Sequence, residues 1–169
     1  FYIFKNLDIN YKKFLKIFSK TAILIIFFIS FFSIINNKKG PIIKNLEIND
    51  KNLKKQNLTI TQLSDLHFLP TTSKKTFDKI IYLANSTNPD IIVLSGDIFD
   101  FTDIKFIEKN FDLKKLKAKY GVFAVSGNHE YYIGIKNFYK IAEQLNIKII
   151  DDNIVEISDL NINLIGLSD

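Results

Sequence analysis

Three short stretches of the chain hold the residue types that metal and phosphate chemistry needs. Asp65-Leu66-His67 pairs one hard oxygen donor with one imidazole nitrogen. Such a pair suits Mn, Fe or Zn better than Ca, which prefers an all-oxygen shell. The i, i+2 spacing would aim both side chains the same way from an extended segment. Gly96-Asp97-Ile98-Phe99-Asp100 supplies two more acids. Gly96 lets the backbone turn sharply beside a ligand, and the two oxygens of Asp97 could bridge two cations. Gly127-Asn128-His129-Glu130 adds an amide and the second imidazole. A neutral Asn128 oxygen is useful where carboxylates already balance the cations, and His129 would be free to steady or protonate a leaving oxygen. Two cations about 3.5–4 Å apart clamp a phosphoryl group and lower the pKa of a shared water. The chain has two histidines, and both lie in these stretches.

Each motif alone has a plainer reading. Asp-x-His arises by chance, and Gly-Asp is a turn signal. Gly-Asn-His-Glu could open a helix with Asn128 as its N-cap, and Asp100 and Glu130 could be ordinary solvated acids. What favours chemistry is the conjunction, because each motif directly follows a strand candidate. The strands are 58–64 (LTITQLS), 91–95 (IIVLS) and 121–126 (GVFAVS). The unbroken apolar run at 91–95 suits a strand buried on both faces of a parallel sheet. In open α/β sheets, ligands bind outside the carboxyl ends of the strands.

The elements between these strands read as helices. Residues 74–86 place Phe77, Ile80, Ile81 and Ala84 on one face, and Asn88-Pro89-Asp90 ends the pattern. Helices are also expected over 104–118 and 136–145, the latter with Phe138, Ile141, Ala142 and Leu145 on one face. A strand is expected at 43–48, followed by a lysine- and asparagine-rich loop. Strands at 147–150, 154–157 and 162–167 close the chain, with Asp151-Asp152-Asn153 as a turn. The alternation predicts an α/β layered domain.

Composition narrows the function classes. The absence of cysteine excludes disulfides, zinc ribbons and thiol nucleophiles. All 23 basic residues are lysine, which disfavours bidentate nucleic-acid recognition, and no nucleic-acid partner is expected. The net charge of +5 is uneven: residues 1–58 hold 11 lysines and 3 acids, whereas 59–169 hold 12 lysines and 15 acids. The basic part surrounds Thr21–Ile35, 15 residues without a charge. Alone that run spans about 22 Å, short of a bilayer core of about 30 Å. Extension back to Phe14 gives 22 residues and takes in Lys16 and Lys20, which can snorkel. Asn36-Asn37-Lys38-Lys39 offers no small-residue cleavage site, so an uncleaved transmembrane helix is expected. Lysines flank both ends, and the positive-inside rule leaves its orientation open.

Asp-x-His, Gly-Asp-x-x-Asp and Gly-Asn-His-Glu, in this order, resemble the calcineurin-like metallophosphoesterase superfamily. Ser64-Asp65-Leu66-His67 behind an apolar anchor looks most like its membrane-associated bacterial branch. The resemblance implies an α-β-β-α layered sandwich and hydrolysis of a phosphate ester or anhydride by a metal-bound hydroxide. It implies two divalent metal ions (Mn, Fe or Zn), with Asp65 and His67 on the first, Asp97 bridging both and Asn128 on the second. By the same resemblance, His129 contacts the substrate phosphate and aids leaving-group departure, and Asp100 orients the site without touching metal. The substrate would be phosphorylated, a lipid or nucleotide among the options, and the location a bacterial cytoplasmic membrane.

The family also supplies later histidines, in a Gly-His-x-His segment, and none follows His129 here. The chain starts at Phe1 and has no methionine. The expectation is therefore an anchor over residues 1–41 and the N-terminal portion of a catalytic domain over 42–169, incomplete as an enzyme by itself. The alternative is a membrane-anchored interaction module of the same fold that has lost catalysis.

Overall fold

The computed structural model describes residues 9–37, 40–49 and 57–169. The chain divides between Pro41 and Ile42 into two compact units. The described part of the first is one helix, α1 (Ile9–Asn37). Within it, Tyr11–Ile35 is 25 residues long and apolar enough to cross a membrane. That length corresponds to about 37 Å of helix.

The second unit is built around a parallel sheet of β1 (Ile60–Leu63), β2 (Ile91–Ser95), β3 (Val122–Val125) and β4 (Lys148–Ile149), in that order across the sheet. The crossovers are α2 (Lys74–Ser86), α3 (Ile104–Asn110) and the pair α4 (Asn128–Tyr132) and α5 (Ile135–Gln144). Right-handed crossovers between strands laid down in sequential order put their helices on one face. That face holds the larger core, where Phe77, Ile80, Ile81, Ile107, Phe138 and Ile141 meet Ile92, Leu94 and Ala124. The opposite face packs Ile91, Val93, Phe123 and Val125 against an antiparallel hairpin of β5 (Asn153–Ile157) and β6 (Ile162–Gly166). Burial on both faces is why β2 reads as an unbroken apolar run. Helix layer, parallel sheet and hairpin are three layers of the expected sandwich. A helix layer beyond the hairpin is not found among the described residues.

Local chemistry sets the boundaries. Ser73 caps α2 by accepting the Thr76 amide at 3.1 Å. Asn88, in the left-handed region at φ 49°, follows the Thr87 cap, and Pro89 prevents continuation. The expected helix over 104–118 is shorter than its periodicity suggested. It stops at Asn110 because Phe111 leaves helical geometry (φ −127°, ψ 56°) to bury its ring against Phe68 and Phe77. Asp112 then caps a 3₁₀ turn over Leu113–Lys115.

The strand expected at 43–48 does not form. Ile43, Leu46 and Ile48 are exposed, and the segment has no ladder partner among the described residues. An unpaired strand has nothing to hold it extended. Most of the loop expected after it lies outside the described residues.

Candidate metal centre

The three motifs meet at the carboxyl edge of β1, β2 and β3. Backbone pairing continues past the strands and locks the first two loops together. His67 N–H donates to Asp97 O at 2.9 Å, Phe68 N–H to Ile98 O at 2.9 Å, and Asp100 N–H to Phe68 O at 3.1 Å. The third loop is brought in by glycines. A Cβ on Gly96 would lie 2.8 Å from the Gly127 Cα, and one on Gly127 would lie 2.8 Å from the Asp97 nitrogen. Ordinary side chains at either position would force the second and third motifs apart.

Asp65, His67 and Asp97 adopt left-handed backbone, with φ of 53°, 42° and 54°. The extended geometry expected of Asp65-Leu66-His67 is therefore absent. Its side chains converge through this left-handed backbone instead, with Asp65 Oδ1 4.0 Å from His67 Nε2. Three such residues at one sheet edge are backbone strain concentrated at a site.

One donor atom each from His67, Asp97 and His129 lies within 4.8 Å of the others. The two imidazoles pack edge to face with centroids 4.5 Å apart. Asp100 Oδ1 sits 3.1 Å from His67 Nδ1 and 2.7 Å from His129 Nδ1. A carboxylate only accepts, so both Nδ1 atoms carry protons, and in the neutral rings both Nε2 lone pairs are free for a cation or a substrate. His67 Nε2 lies 3.8 Å from Asp97 Oδ2. The hydrogen bond to Asp100, with the nearby charges of Asp100, Asp97 and Asp65, raises the His67 pKa above 6.5 against an opposing contribution from burial.

The remaining expected residues are placed as follows. Asp65 is the most open acid of the group, its side chain 70% exposed and bonded by the Ser64 hydroxyl. Asp97 is only 15% exposed, and its Oδ1 accepts the His129 amide at 3.0 Å. Asn128 is exposed at the first residue of α4, and Gly127, not Asn128, is the N-cap.

Glu130 overturns its solvated reading. It is fully buried. Its Oε2 accepts from Asp97 N–H and Gly127 N–H, and its Oε1 from Ile98 N–H, each at 2.8 Å. One carboxylate thus ties the second motif to the third. The sequence carries the signal, since a glutamate three residues after an N-cap is the capping-box spacing. Asp151, expected only as part of a turn, holds the third strand in place. Its carboxylate accepts from the Ser126 amide at 2.8 Å, the Ser126 hydroxyl at 2.7 Å and the Tyr139 hydroxyl at 2.9 Å. It anchors the end of β3 just before Gly127. Tyr139 is 42% exposed as a residue, and partial desolvation of its hydroxyl, then the bond to Asp151, pushes the phenol up to about 12.

The calcineurin-like phosphoesterase family model matches residues 58–166, the whole stretch from the start of β1 to the end of β6. This chain belongs to that family. Among its relatives is an uncharacterized metallophosphoesterase of Campylobacter jejuni, 32% identical over 154 residues, covering 89% of this chain and 40% of that protein. A Helicobacter pylori metallophosphoesterase is 32% identical over 158 residues, covering 94% of this chain and 41% of its own length. A bovine transmembrane protein with a metallophosphoesterase domain is 27% identical over 140 residues, 81% of this chain and 32% of that one. The chain thus spans about two fifths of the bacterial relatives' length. No solved structure matches it significantly. Members of the calcineurin-like phosphoesterase family bind divalent metals, and the motifs gathered at the sheet edge lie inside the matched region.

Proposed function

We propose that this chain belongs to a membrane-anchored phosphoesterase that hydrolyses a phosphate ester or anhydride, with its reaction centre at the carboxyl edge of β1, β2 and β3. The convergence of His67, Asp97 and His129 within 4.8 Å carries the reading. Mixed imidazole and carboxylate donors, with both Nε2 lone pairs free, suit Mn, Fe or Zn. His67 and Asp97 would hold two such ions with Asp65 and Asn128. When bound, the ions polarise a phosphoryl oxygen and ease ionisation of water.

The chain's own residues do the rest. Asp100 fixes both imidazoles through Nδ1. Through Nδ1 it orients His129 toward the substrate, where this imidazole would aid departure of the leaving oxygen. Glu130 keeps the Asp97 turn and the start of α4 in register. The apolar α1 and the relatives named as transmembrane proteins support attachment to a membrane, proposed to be a bacterial cytoplasmic membrane. A nucleotide or lipid headgroup presented near the bilayer is the substrate form that attachment favours.

The test is turnover of an aryl phosphate by the protein that carries this chain, with Mn²⁺ or with a chelator. Turnover should need the metal and should fall at least about a hundredfold in Asp97→Asn, the scale of losing a charge-stabilising group. Turnover unchanged by both treatments would reject the reading. Complete inertness of the wild type with every divalent metal would favour the interaction module.

A further inference from the structure

We propose that the lysine face of the first turns of α1, Tyr11–Lys20, binds anionic phospholipid headgroups where this helix enters the bilayer. The proposal rests on the membrane attachment read above and names the lipid that the attachment selects.

The placement of charge and rings on the helix carries it. At about 100° per residue, Lys12, Lys13, Lys16 and Lys20 fall within an arc of roughly 100°. Tyr11, Phe14 and Phe18 fall in an arc of roughly 60° centred opposite the lysines. Their rings form a continuous ridge, stacked with centroids 6.5 Å apart for Tyr11 and Phe14 and 6.2 Å apart for Phe14 and Phe18. On a helix that continues into the apolar run, this division lets the lysine stems snorkel to one headgroup layer while the rings face the acyl chains. The helix Ile9–Asn37 carries no acidic residue, so it offers these lysines no counter-charge of its own.

The pattern changes at the next turn. From Thr21 to Ile35 there is no charge on any face. At the junction, Ser19 Oγ donates to Leu15 O at 2.7 Å and Thr21 Oγ1 to Ile17 O at 3.0 Å. Both hydroxyls are satisfied inside the helix and can enter the acyl region without water. Thr21–Ile35 spans about 22 Å, and Lys20 lies about 12 Å along the axis from Lys12. Long lysine stems let all four ammonium groups reach one headgroup layer from those positions. Phosphate-bearing lipids of net negative charge complement such a stripe, while zwitterionic lipids offer it no net attraction. An acidic protein or nucleic acid would have to displace headgroups that already surround the segment.

The experiment uses the protein reconstituted in mixed vesicles with trace spin-labelled phosphatidylglycerol or phosphatidylcholine. The motionally restricted fraction of each label reports the lipid beside the helix. Phosphatidylglycerol should be enriched about fivefold over phosphatidylcholine, the ratio expected of one headgroup contact with a lysine. The preference should vanish in 1 M salt, at a screening length of about 3 Å, and should fall at least about twofold in the Lys12→Gln, Lys13→Gln, Lys16→Gln, Lys20→Gln variant, which keeps Lys38 and Lys39 at the other end. Equal restriction of both lipids by the wild type, or a preference unchanged by the four substitutions, would overturn the proposal. Alkaline carbonate extraction separates this from the underlying reading. A protein that stays in the membrane without lipid preference fails the proposal alone, and one that washes off fails both.

Discussion

At the scale of single residues, the centre depends on one carboxylate serving two rings. Asp100 Oδ1 meets the Nδ1 of both His67 and His129, so its loss frees both imidazoles at once. The Asp100 hydrogen bond is the largest cause of the raised His67 pKa, which gives a pH dependence with a definite sign. Protonated His67 is favoured in the folded state. Its contribution to stability is fully present below the unfolded value of 6.5 and is lost as pH rises through the higher folded value. Metal affinity runs the other way, because a cation needs the neutral ring, and it should fall as pH drops through that folded value. The stability advantage of the metal-free wild type over Asp100→Asn should therefore shrink as pH rises from 6.5 through the higher folded value, followed by thermal unfolding. A constant difference across that range would remove the ion pair from the account. That His67, Asp97 and His129 come together at one edge was legible in the sequence, because each follows directly after a strand and both histidines of the chain lie there. The left-handed backbone of Asp65, His67 and Asp97 was not legible, since it is imposed by pairing between the two loops and not by local preference.

Among the elements, Glu130 joins β2 to α4. A buried carboxylate accepting three amides replaces the ladder that the sheet loses where its strands end. Glu130→Ala would leave those amides without their acceptor. It should cost about 3 kcal/mol or more in urea unfolding, given about 1–3 kcal/mol for each buried group left unsatisfied. A loss under about 1 kcal/mol would mean that water or another acceptor replaces the carboxylate. Helix α2 was legible to the residue, since Phe77, Ile80, Ile81 and Ala84 are all buried as their spacing requires. Helix α3 was read too long because the burial of Phe111 among other rings outweighs the helical periodicity that continues past it. The short α4 hid inside the Gly-Asn-His-Glu motif, its five residues too few for a period to show. The strand read at 43–48 shows the reverse error, in which β-prone composition without a partner leaves exposed coil.

For the whole molecule, the basic excess of the sequence lies before the division between Pro41 and Ile42: residues 1–41 hold 7 lysines and 1 acid, and 42–169 hold 16 lysines and 17 acids. An apolar helix bearing lysines precedes a nearly neutral α/β unit whose three motifs lie at one sheet edge. Layering was legible because β2, packed on both faces of the parallel sheet, leaves an unbroken apolar run, while the one-sided β5–β6 hairpin alternates. The central claim is that this sheet edge holds divalent metal. Equilibrium Mn²⁺ binding, read from the paramagnetic resonance of the free ion, tests it without dependence on turnover. Saturable binding by the protein that carries this chain should weaken at least about tenfold in Asp97→Asn and again in His67→Ala. Absence of saturable binding, or affinity unchanged by both substitutions, would contradict the account.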